Sequence, residues 1–302
     1  MPSEIHKPVL LRESINYLNL KEGDCIVDAT IGLGGHSEVI LEKIGPKGIL
    51  IGFDADSSNI EILKSKFSQH RNLILMNENF SQIETALKKI NIFKINGILF
   101  DFGLSSFQLN SPNRGFSFQN EGPLDMRINQ SQSLHAEKII NNCTKNELEE
   151  IFKKYGEEKH SKRISWQITE SRKKENITST LHLSKIINKA LYKVSYNERR
   201  NILARIFQAI RIRVNNELDN IEKGLRSSIK LLSPGGRIVT ISFHSLEDKI
   251  VKNTFNLYTG KYNNLYKKEL ILITKKVIVP DFEEIKYNSR AKSSKLRAAE
   301  KI

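Results

Sequence analysis

Residues 25–35 read Cys25-Ile-Val-Asp-Ala-Thr-Ile-Gly-Leu-Gly-Gly35, and this stretch decides the fold. A short run rich in β-branched residues ends in a cluster of glycines, and residues 36–44 then follow the apolar spacing of a helix. The pattern predicts a buried strand, a glycine turn and a helix, in that order.

Three more strands are predicted before residue 102. Residues 48–53, 72–76 and 97–101 are short apolar runs separated by helical patterns. Ser57 or Ser58 is the expected N-cap of the helix after the second strand. Because parallel strands need crossover connections, this alternation predicts an α/β fold with a mostly parallel, doubly wound sheet.

The alternation stops after the fourth strand. Residues 106–200 begin as a polar loop and continue as helical segments without a strand-like run. We therefore expect an inserted, mainly helical substrate-recognition domain at residues 106–200, and a core domain formed by residues 1–105 and 201–302.

The second part of the core domain begins with a long apolar repeat. Between Ile202 and Leu232 apolar residues recur every three or four positions, which predicts one long amphipathic helix. Pro234-Gly-Gly236 is expected to end that helix. Strand patterns follow at residues 237–243 and, more weakly, at residues 270–274 and 295–299.

The net charge of +14 is spread unevenly along the 302 residues. Residues 1–105 hold 11 basic against 13 acidic side chains, residues 106–200 hold 17 against 11, and residues 201–302 hold 20 against 10. A genome-wide bias toward lysine would not spare the first third. The distribution therefore predicts a phosphate-facing surface formed by the middle segment and the tail.

Other classes of protein are disfavoured by composition. The chain has no apolar run of about 18 residues and no secretory pattern at its start, so we expect a cytoplasmic protein without a membrane partner. Cys25 and Cys143 lie far apart and outside any Cys-x-x-Cys pair. A disulfide framework and a metal site are therefore not expected.

The glycine turn and the end of the second strand predict a cofactor that contains adenosine. Gly32, Gly34 and Gly35 allow a ligand to approach the backbone, and Asp54 follows a strand where a ribose can be held. Dinucleotide-dependent oxidoreductases use the same geometry. Asp28 favours S-adenosylmethionine instead, because a carboxylate suits an ammonium group and repels a pyrophosphate. The alternative for Asp28 is equally expected: its carboxylate accepts hydrogen bonds from backbone amides of the glycine turn and contacts no ligand.

Two residues at strand ends are candidates for catalysis. Asp101 ends the fourth strand, and His244 follows the fifth, where ligands of doubly wound sheets bind. A base amine is a weak nucleophile, so a group that accepts its proton assists attack on a sulfonium methyl. Asp101 is predicted to accept that proton or to hold the cofactor, and His244 to be a second acceptor or a structural residue.

An ordered set of motifs resembles the bacterial 16S rRNA cytosine-N4 methyltransferase family called RsmH or MraW. The matching segments run in the family's order: His6-Lys-Pro-Val-Leu-Leu11, Asp28-Ala-Thr-Ile-Gly-Leu-Gly-Gly-His36, Asp101-Phe-Gly-Leu-Ser-Ser106, Arg114-Gly-Phe-Ser-Phe118, Gly122-Pro-Leu-Asp-Met-Arg127, Tyr155-Gly-Glu-Glu158, Phe207-Gln-Ala-Ile-Arg211, Ser242-Phe-His-Ser-Leu-Glu-Asp248 and Ser289-Arg-Ala-Lys-Ser-Ser294.

The resemblance implies a Rossmann-like class I methyltransferase with an inserted helical domain. It implies S-adenosylmethionine as cofactor and, as substrate, a cytidine in the decoding centre of the small ribosomal subunit, near the P site. The positions matching the family's cofactor site are Gly34, Gly35, His36, Asp54, Phe80, Asp101 and Gln108. The oligomeric state is left open, a homodimer included.

The chain departs from the family pattern at two places. Phe107 stands where the family usually has proline, and residues 201–206 replace a usual His-Pro-Ala-Thr-Arg-Thr, keeping Arg205. The second change leaves substrate affinity less secure than cofactor binding. A ribosome-assembly factor that binds rRNA without methylating it therefore stays an alternative, beside a Rossmann oxidoreductase.

RNA contacts are expected in the inserted domain. The candidate residues are Lys159, Lys162, Arg163, Trp166 and Arg205, which mix cations with one aromatic side chain. The competing interpretation is a solvated helix face with the tryptophan in the core. Phe116 and Phe118, in a loop predicted to be flexible, are further candidates for contacting a base freed from its stack.

Overall fold

A computed structural model of the chain describes residues 8–261 and 268–302. His6 and Lys7, which open the first matching motif, lie outside these ranges. The chain divides into two compact units. One, the sheet unit, comprises Met1–Gly103 and Leu218–Ile302, and the other, the helical unit, comprises Leu104–Glu217.

A single sheet organises the sheet unit. Its seven strands in the described part of the chain are β1 Cys25–Asp28, β2 Ile49–Phe53, β3 Leu73–Met76, β4 Ile95–Asp101, β5 Leu232–Ser242, β6 Leu270–Leu272 and β7 Lys295–Lys301. They lie in the order β3-β2-β1-β4-β5-β7-β6. The first five pair in parallel, and β7 is antiparallel to both β5 and β6. The predicted mostly parallel α/β fold is confirmed.

Two apolar cores cover the two faces of this sheet. Successive strand residues point to opposite faces. Ile26 and Leu99 accordingly belong to one core, and their neighbours Val27 and Ile98 to the other. Four α-helices of the sheet unit precede β4: α1 Leu11–Leu18, α2 Gly35–Ile44, α3 Ser57–Lys66 and α4 Ile83–Lys89. A six-residue helix, Phe282–Tyr287, lies near the end of the chain. Burial on both faces explains why the strands read as continuous apolar runs.

The helical unit has a separate apolar core. Its helices are α5 Ser106–Asn110, α6 Ala136–Asn142, α7 Lys145–Gly156, α8 Ser161–Arg172, α9 Thr180–Ala190 and α10 Tyr196–Asn215. The chain then returns to the sheet unit with α11 Glu217–Leu231 and α12 Ser245–Tyr258, and the helix Phe282–Tyr287 is α13. The core packs Phe152 of α7, Ile168 of α8 and Ile206 of α10 together.

The prediction of one long helix between residues 202 and 232 is wrong. Helix α10 ends at Asn215, and Asn216 takes a left-handed conformation with φ 50° and ψ 41° before α11 begins. The Asn216 amide still donates to the carbonyl of Ile212, and Arg211 pairs with Glu217 at 2.9 Å across the break. The helical unit consequently runs to Glu217, whereas the sequence analysis placed its end at residue 200.

The first predicted helix cap also needs correction. Helix α3 begins at Ser57, and its N-cap is Asp56, whose carboxylate accepts a hydrogen bond from the Ser58 amide at 3.1 Å. A carboxylate and a serine hydroxyl make the same capping contact, so Asp56, Ser57 and Ser58 were all possible N-caps from the sequence.

Candidate active site

The glycine turn after β1 depends on left-handed backbone conformations. Gly32 has φ 53° and Gly34 has φ 79°, values that side chains with a Cβ rarely adopt. A Cβ on Gly34 would also run into the ring of Phe67. The turn is closed by a hydrogen bond from the Gly34 amide to the Ile31 carbonyl at 2.7 Å, and Gly35 begins α2.

Asp28, the last residue of β1, is buried beneath this turn. Its carboxylate accepts hydrogen bonds from the Ser37 hydroxyl at 2.7 Å and from the Thr30 amide at 3.2 Å. Burial raises the pKa of Asp28 to about 6, although both hydrogen bonds oppose the shift. The Thr30 contact is the kind expected if Asp28 only accepts hydrogen bonds from backbone amides of the turn. The Ser37 contact comes instead from a side chain of α2.

Asp54 follows β2 and ties three segments together. Its carboxylate accepts hydrogen bonds from the amides of Gly32 at 3.1 Å and Asp56 at 2.8 Å, and from the side-chain amide of Asn59 at 2.9 Å. Burial raises its pKa to about 7, and nearby Asp56 contributes to the increase. The residue thus links the glycine turn to the beginning of α3.

Asp101 ends β4. Its backbone amide donates to the Thr30 hydroxyl, and its Oδ1 accepts from the Gly103 amide at 3.2 Å. Burial raises the pKa of Asp101 to about 7, and the negative charges of Asp28 and Glu247 act in the same direction. Arg290 opposes them.

These three carboxylates lie at one edge of the sheet, and we call them the acidic edge. The strands that they follow are neighbours in the order β2-β1-β4, all parallel, so their carboxyl ends meet. Each group has a pKa raised mainly by loss of solvent. A bound cation would favour their ionised forms, whereas a bound anion would be repelled.

Phe80 lies beyond β3 in an aromatic cluster. Its ring meets Phe100 edge-on at a centroid distance of 5.5 Å and Phe102 at 6.0 Å. A Cβ on Gly224 of α11 would reach the same ring, so that glycine allows the close packing. Phe80 is half-buried and therefore presents an apolar surface at the end of β3 while also filling the core.

The His36 ring is directed at the chain's own backbone. It lies in the first turn of α2, is buried, and its Nε2 is 3.1 Å from the carbonyl oxygen of Val9. The structure therefore gives the side chain a contact that positions the segment before α1.

His244 is the N-cap of α12. Its Nδ1 accepts a hydrogen bond from the Glu247 amide at 3.4 Å, while Glu247 accepts in return from the amides of Phe243 at 2.7 Å and His244 at 3.3 Å. The two side chains thus form a capping box. Nε2 lies 3.0 Å from Glu247 Oε1 without hydrogen-bond geometry. The ring holds the start of the helix.

Sequence reasoning missed several of the partners described above. Glu247 is buried, and its negative charge raises the pKa of Asp101. The Thr30 hydroxyl accepts a hydrogen bond from the Asp101 amide, and the Ser37 hydroxyl donates one to the Asp28 carboxylate. The spacing His244-Ser-Leu-Glu247 does carry the three-residue signal of a capping box. The contacts of Thr30 and Ser37 depend on side-chain directions that no sequence period specifies.

The remaining predicted cofactor residue, Gln108, lies in the helical unit. It is buried in α5, and its side chain and backbone form a capping box with Ser105 at 3.1 and 3.2 Å. The structure therefore shows a local role for Gln108 within the first helix of that unit.

The predicted RNA-binding residues differ in their surroundings. Trp166 is 53% exposed, so the interpretation that placed it in the core is wrong. Lys159 forms an exposed ion pair with Glu198 at 3.2 Å. Arg205 instead binds the buried carboxylate of Glu158 through two nitrogens, which ties α10 to the turn between α7 and α8.

Phe116 and Phe118 do not lie in a free loop. Phe116 is 8% exposed, and Phe118 packs against Phe207 at a centroid distance of 5.8 Å. The Arg114 guanidinium, itself buried, donates to the carbonyls of residues 127 and 128. Phe116 belongs to the core of the helical unit and half-buried Phe118 packs against it, while contact of either ring with a base stays a prediction.

In residues 8–261 and 268–302, no helix is both long and apolar enough to cross a membrane.

Comparisons with known proteins match nearly the whole chain to one family. The model of the MraW methylase family matches residues 3–302. The chain is 43% identical over 306 residues to the ribosomal RNA small subunit methyltransferase H of Halothermothrix orenii, covering 98% of both proteins. It is 44% identical over 311 residues to the protein of the same name from Caldicellulosiruptor saccharolyticus, covering 98% of this chain and 99% of that protein.

Among solved structures, the chain is similar to a SAM-dependent O-methyltransferase from Thermotoga maritima, with a TM-score of 0.44 and 9% identity. That alignment covers 99% of this chain and 68% of the other.

Proposed function

The chain belongs to the MraW methylase family, an S-adenosylmethionine-dependent methyltransferase family, and on this premise we propose that it methylates N4 of a cytidine in 16S rRNA. The oxidoreductase alternative is wrong, since the family is one of methylases. Relatives at 43% and 44% identity carry the name of a small-subunit rRNA methyltransferase, which supports the substrate. We place the target in the decoding centre near the P site and the reaction in the cytoplasm, with the small ribosomal subunit as partner.

The acidic edge is the observation that carries the proposal. S-adenosylmethionine supplies an electrophilic methyl group on a sulfonium and also carries an ammonium group, a ribose and an adenine. Asp28 is buried and Asp54 and Asp101 are half-buried, and three carboxylates with raised pKa values fit a cationic ligand of this kind. In the turn after β1, Gly32 and Gly34 carry no side chain, which fits close approach of a ligand to the backbone at these two positions.

Each residue of the edge receives a separate part in binding. Asp54 is assigned to the ribose hydroxyls, because it follows β2 and is fixed by three hydrogen bonds. Asp28 is assigned to the ammonium group, where its negative charge is compensated. Phe80 is assigned to the adenine face, since its half-buried ring follows the third strand. Gly34, Gly35 and the backbone of His36 are assigned to the surface of the turn that the cofactor contacts.

Asp101 is assigned to the acceptor amine. The lone pair of a cytidine N4 is delocalised into the ring, so the amine attacks well only when a base draws on its N–H. Oδ1 of Asp101 accepts from Gly103, which leaves Oδ2 for the amine. As the new N–C bond forms and the S–C bond breaks, the amine proton passes to this carboxylate. A pKa near 7 suits that transfer at neutral pH.

His244 is assigned a positioning role. Its ring caps α12 and holds Glu247, whose negative charge faces Asp101. Within the altered segment 201–206, Ile202, Leu203 and Ile206 are buried in the core of the helical unit, whereas Asn201 and Ala204 are exposed. The replacement of the family's usual residues therefore changes packing within that unit.

Methyl transfer is tested on small ribosomal subunits that lack the modification. The purified protein is incubated with these subunits and isotopically labelled S-adenosylmethionine, and the rRNA nucleosides are separated by mass spectrometry. We expect label in N4-methylcytidine alone. Label in 5-methylcytidine or in an adenosine would refute the proposed atom, and binding without label would favour the assembly factor.

A further inference from the structure

A cationic pocket surrounds the exposed tryptophan of the helical unit. We call it the Trp166 pocket; its volume is about 360 Å³ and it is lined by Lys145, Lys159, His160, Lys162, Arg163 and Trp166. Among the described residues that line it, four carry a permanent positive charge and none carries a negative one. The pocket is therefore suited to an anionic ligand with a flat apolar part.

The tryptophan is placed on the outer side of α8. The inner side of that helix buries Ile164, Ser165 and Ile168 in the core, whereas Trp166 leaves 53% of its surface accessible. Tryptophan is usually largely buried, and exposure of its ring in water is unfavourable. An exposed indole among cations thus has the features of a stacking platform for a base.

A second aromatic side chain continues the same surface. Tyr192, which follows α9, is 64% exposed, and the guanidinium of Arg163 lies 4.7 Å from the centre of its ring. Lys193 approaches the same ring at 5.6 Å. This packing fixes the Arg163 guanidinium beside the pocket, where it can contact a phosphate.

We propose that the Trp166 pocket binds an unpaired nucleotide of the RNA substrate, with its base stacked on Trp166 and its flanking phosphates on Lys145, Lys162 and Arg163. This inference rests on the proposed function in one respect, that the substrate is RNA. The bound nucleotide is not the methylated cytidine, because the pocket lining offers no carboxylate to accept an amine proton. Paired RNA is excluded as the ligand, since its base faces are covered by neighbouring bases.

The chain offers a direct readout, because Trp166 is its single tryptophan. Single-stranded RNA of about ten nucleotides is titrated into the whole protein while tryptophan emission is recorded. We expect RNA to quench this emission in a saturable way, and inorganic polyphosphate of equal charge to bind without quenching. Equal quenching by polyphosphate would overturn base stacking, as would RNA binding that leaves the emission unchanged.

Variants separate the base from the phosphates. Measured by anisotropy of labelled RNA, Trp166→Ala is expected to weaken binding roughly tenfold and Trp166→Phe much less. Lys162→Glu is expected to weaken binding of both RNA and polyphosphate. Phe93→Ala is the matched control, since Phe93 is 60% exposed in the sheet unit just before β4. Unchanged RNA affinity in Trp166→Ala would contradict the proposal.

The proposed function and this inference fail in different ways. If small subunits receive no methyl group while single-stranded RNA quenches Trp166, the methylation proposal is wrong and the pocket stands. If N4-methylcytidine forms at the wild-type rate and KM in Trp166→Ala, the methylation proposal stands and the pocket assignment is wrong.

Discussion

At the scale of single residues, Asp101 combines position and charge in a way that its neighbours do not. It ends the strand next to β1, its amide is held by Thr30, and burial together with two nearby negative charges raises its pKa to about 7. Asp28 and Asp54 receive more hydrogen bonds on their carboxylates and are thereby more firmly committed to the protein.

Asp101→Asn tests the assignment to the amine. The amide has almost the same shape but cannot take up a proton, so we expect kcat to fall by about 100-fold or more. The affinity for S-adenosylmethionine, measured by calorimetry, should change much less. Asp219→Asn, which removes an exposed carboxylate from α11, is the control and should leave both quantities unchanged. Full activity of Asp101→Asn would remove this residue from the mechanism.

His244 calls for a pair of substitutions. As an N-cap it should tolerate Asn, which caps helices well, whereas His244→Ala should lower the free energy of unfolding by about 1 kcal/mol. Urea denaturation measures that loss, and a transfer assay on the folded Asn variant should show most of the wild-type rate. A folded Asn variant without activity would instead make His244 a proton acceptor.

At the scale of secondary-structure elements, the sequence predicted what depends on periodicity. Strands β1 to β4 and the glycine turn were placed within a few residues, because buried strands are short apolar runs with clear ends. The acidic residues after β1, β2 and β4 were found for the same reason: parallel topology brings their positions to one edge. Their hydrogen-bond partners were not found, because those contacts depend on tertiary packing.

The break between α10 and α11 shows the limit of periodicity. Apolar residues continue in helical phase from Val214 to Leu218 and Ile221, so the pattern gives no sign that Asn216 leaves the helix. The only local signal is the pair Asn215-Asn216, since asparagine tolerates left-handed backbone better than most residues. Exposure of Trp166 was equally hidden, because its position in α8 relative to the core is a tertiary fact.

Substitution of Asn216 measures the cost of this break. Asn216→Gly should keep or slightly raise the free energy of unfolding, whereas Asn216→Ala should lower it by about 1 kcal/mol, because a Cβ is strained at φ 50°. Urea denaturation of the two variants beside the wild type gives the difference. If alanine were tolerated as well as glycine, the left-handed conformation would not be a significant constraint in the native protein.

At the scale of the whole molecule, the segment proposed to bind the methyl donor and the segment proposed to bind RNA differ in net charge. The net charge is −2 in residues 1–105, which contribute the acidic edge, and +6 in residues 106–200, which contribute the Trp166 pocket. If both proposals hold, the cationic donor and the polyanionic RNA each bind a surface of opposite charge. The uneven composition was visible in the sequence, whereas the burial that raises the carboxylate pKa values was not.

Stability of the whole protein should report this arrangement through pH. Burial raises the pKa values of Asp28, Asp54 and Asp101 from 3.8 to about 6, 7 and 7, so the folded protein without ligand binds more protons than the unfolded chain. These groups consequently contribute stability that is complete below about pH 4 and is lost as pH rises through 6 to 7. A bound cation reverses the balance, because it favours the ionised carboxylates.

The dissociation constant of S-adenosylmethionine should therefore fall roughly tenfold between pH 5.5 and 7.5, and the rise in Tm at a fixed ligand concentration should grow with it. Adenosine is the matched ligand control: it carries neither the ammonium nor the sulfonium charge and keeps only the ribose that is assigned to Asp54, so its affinity should change less than that of S-adenosylmethionine over the same range. Asp101→Asn should flatten the dependence for the charged ligand by removing one titrating group. A donor affinity that stayed constant from pH 5.5 to 7.5 would mean that the carboxylates do not contact the positive charges of the ligand, and the acidic edge would then be a feature of folding alone.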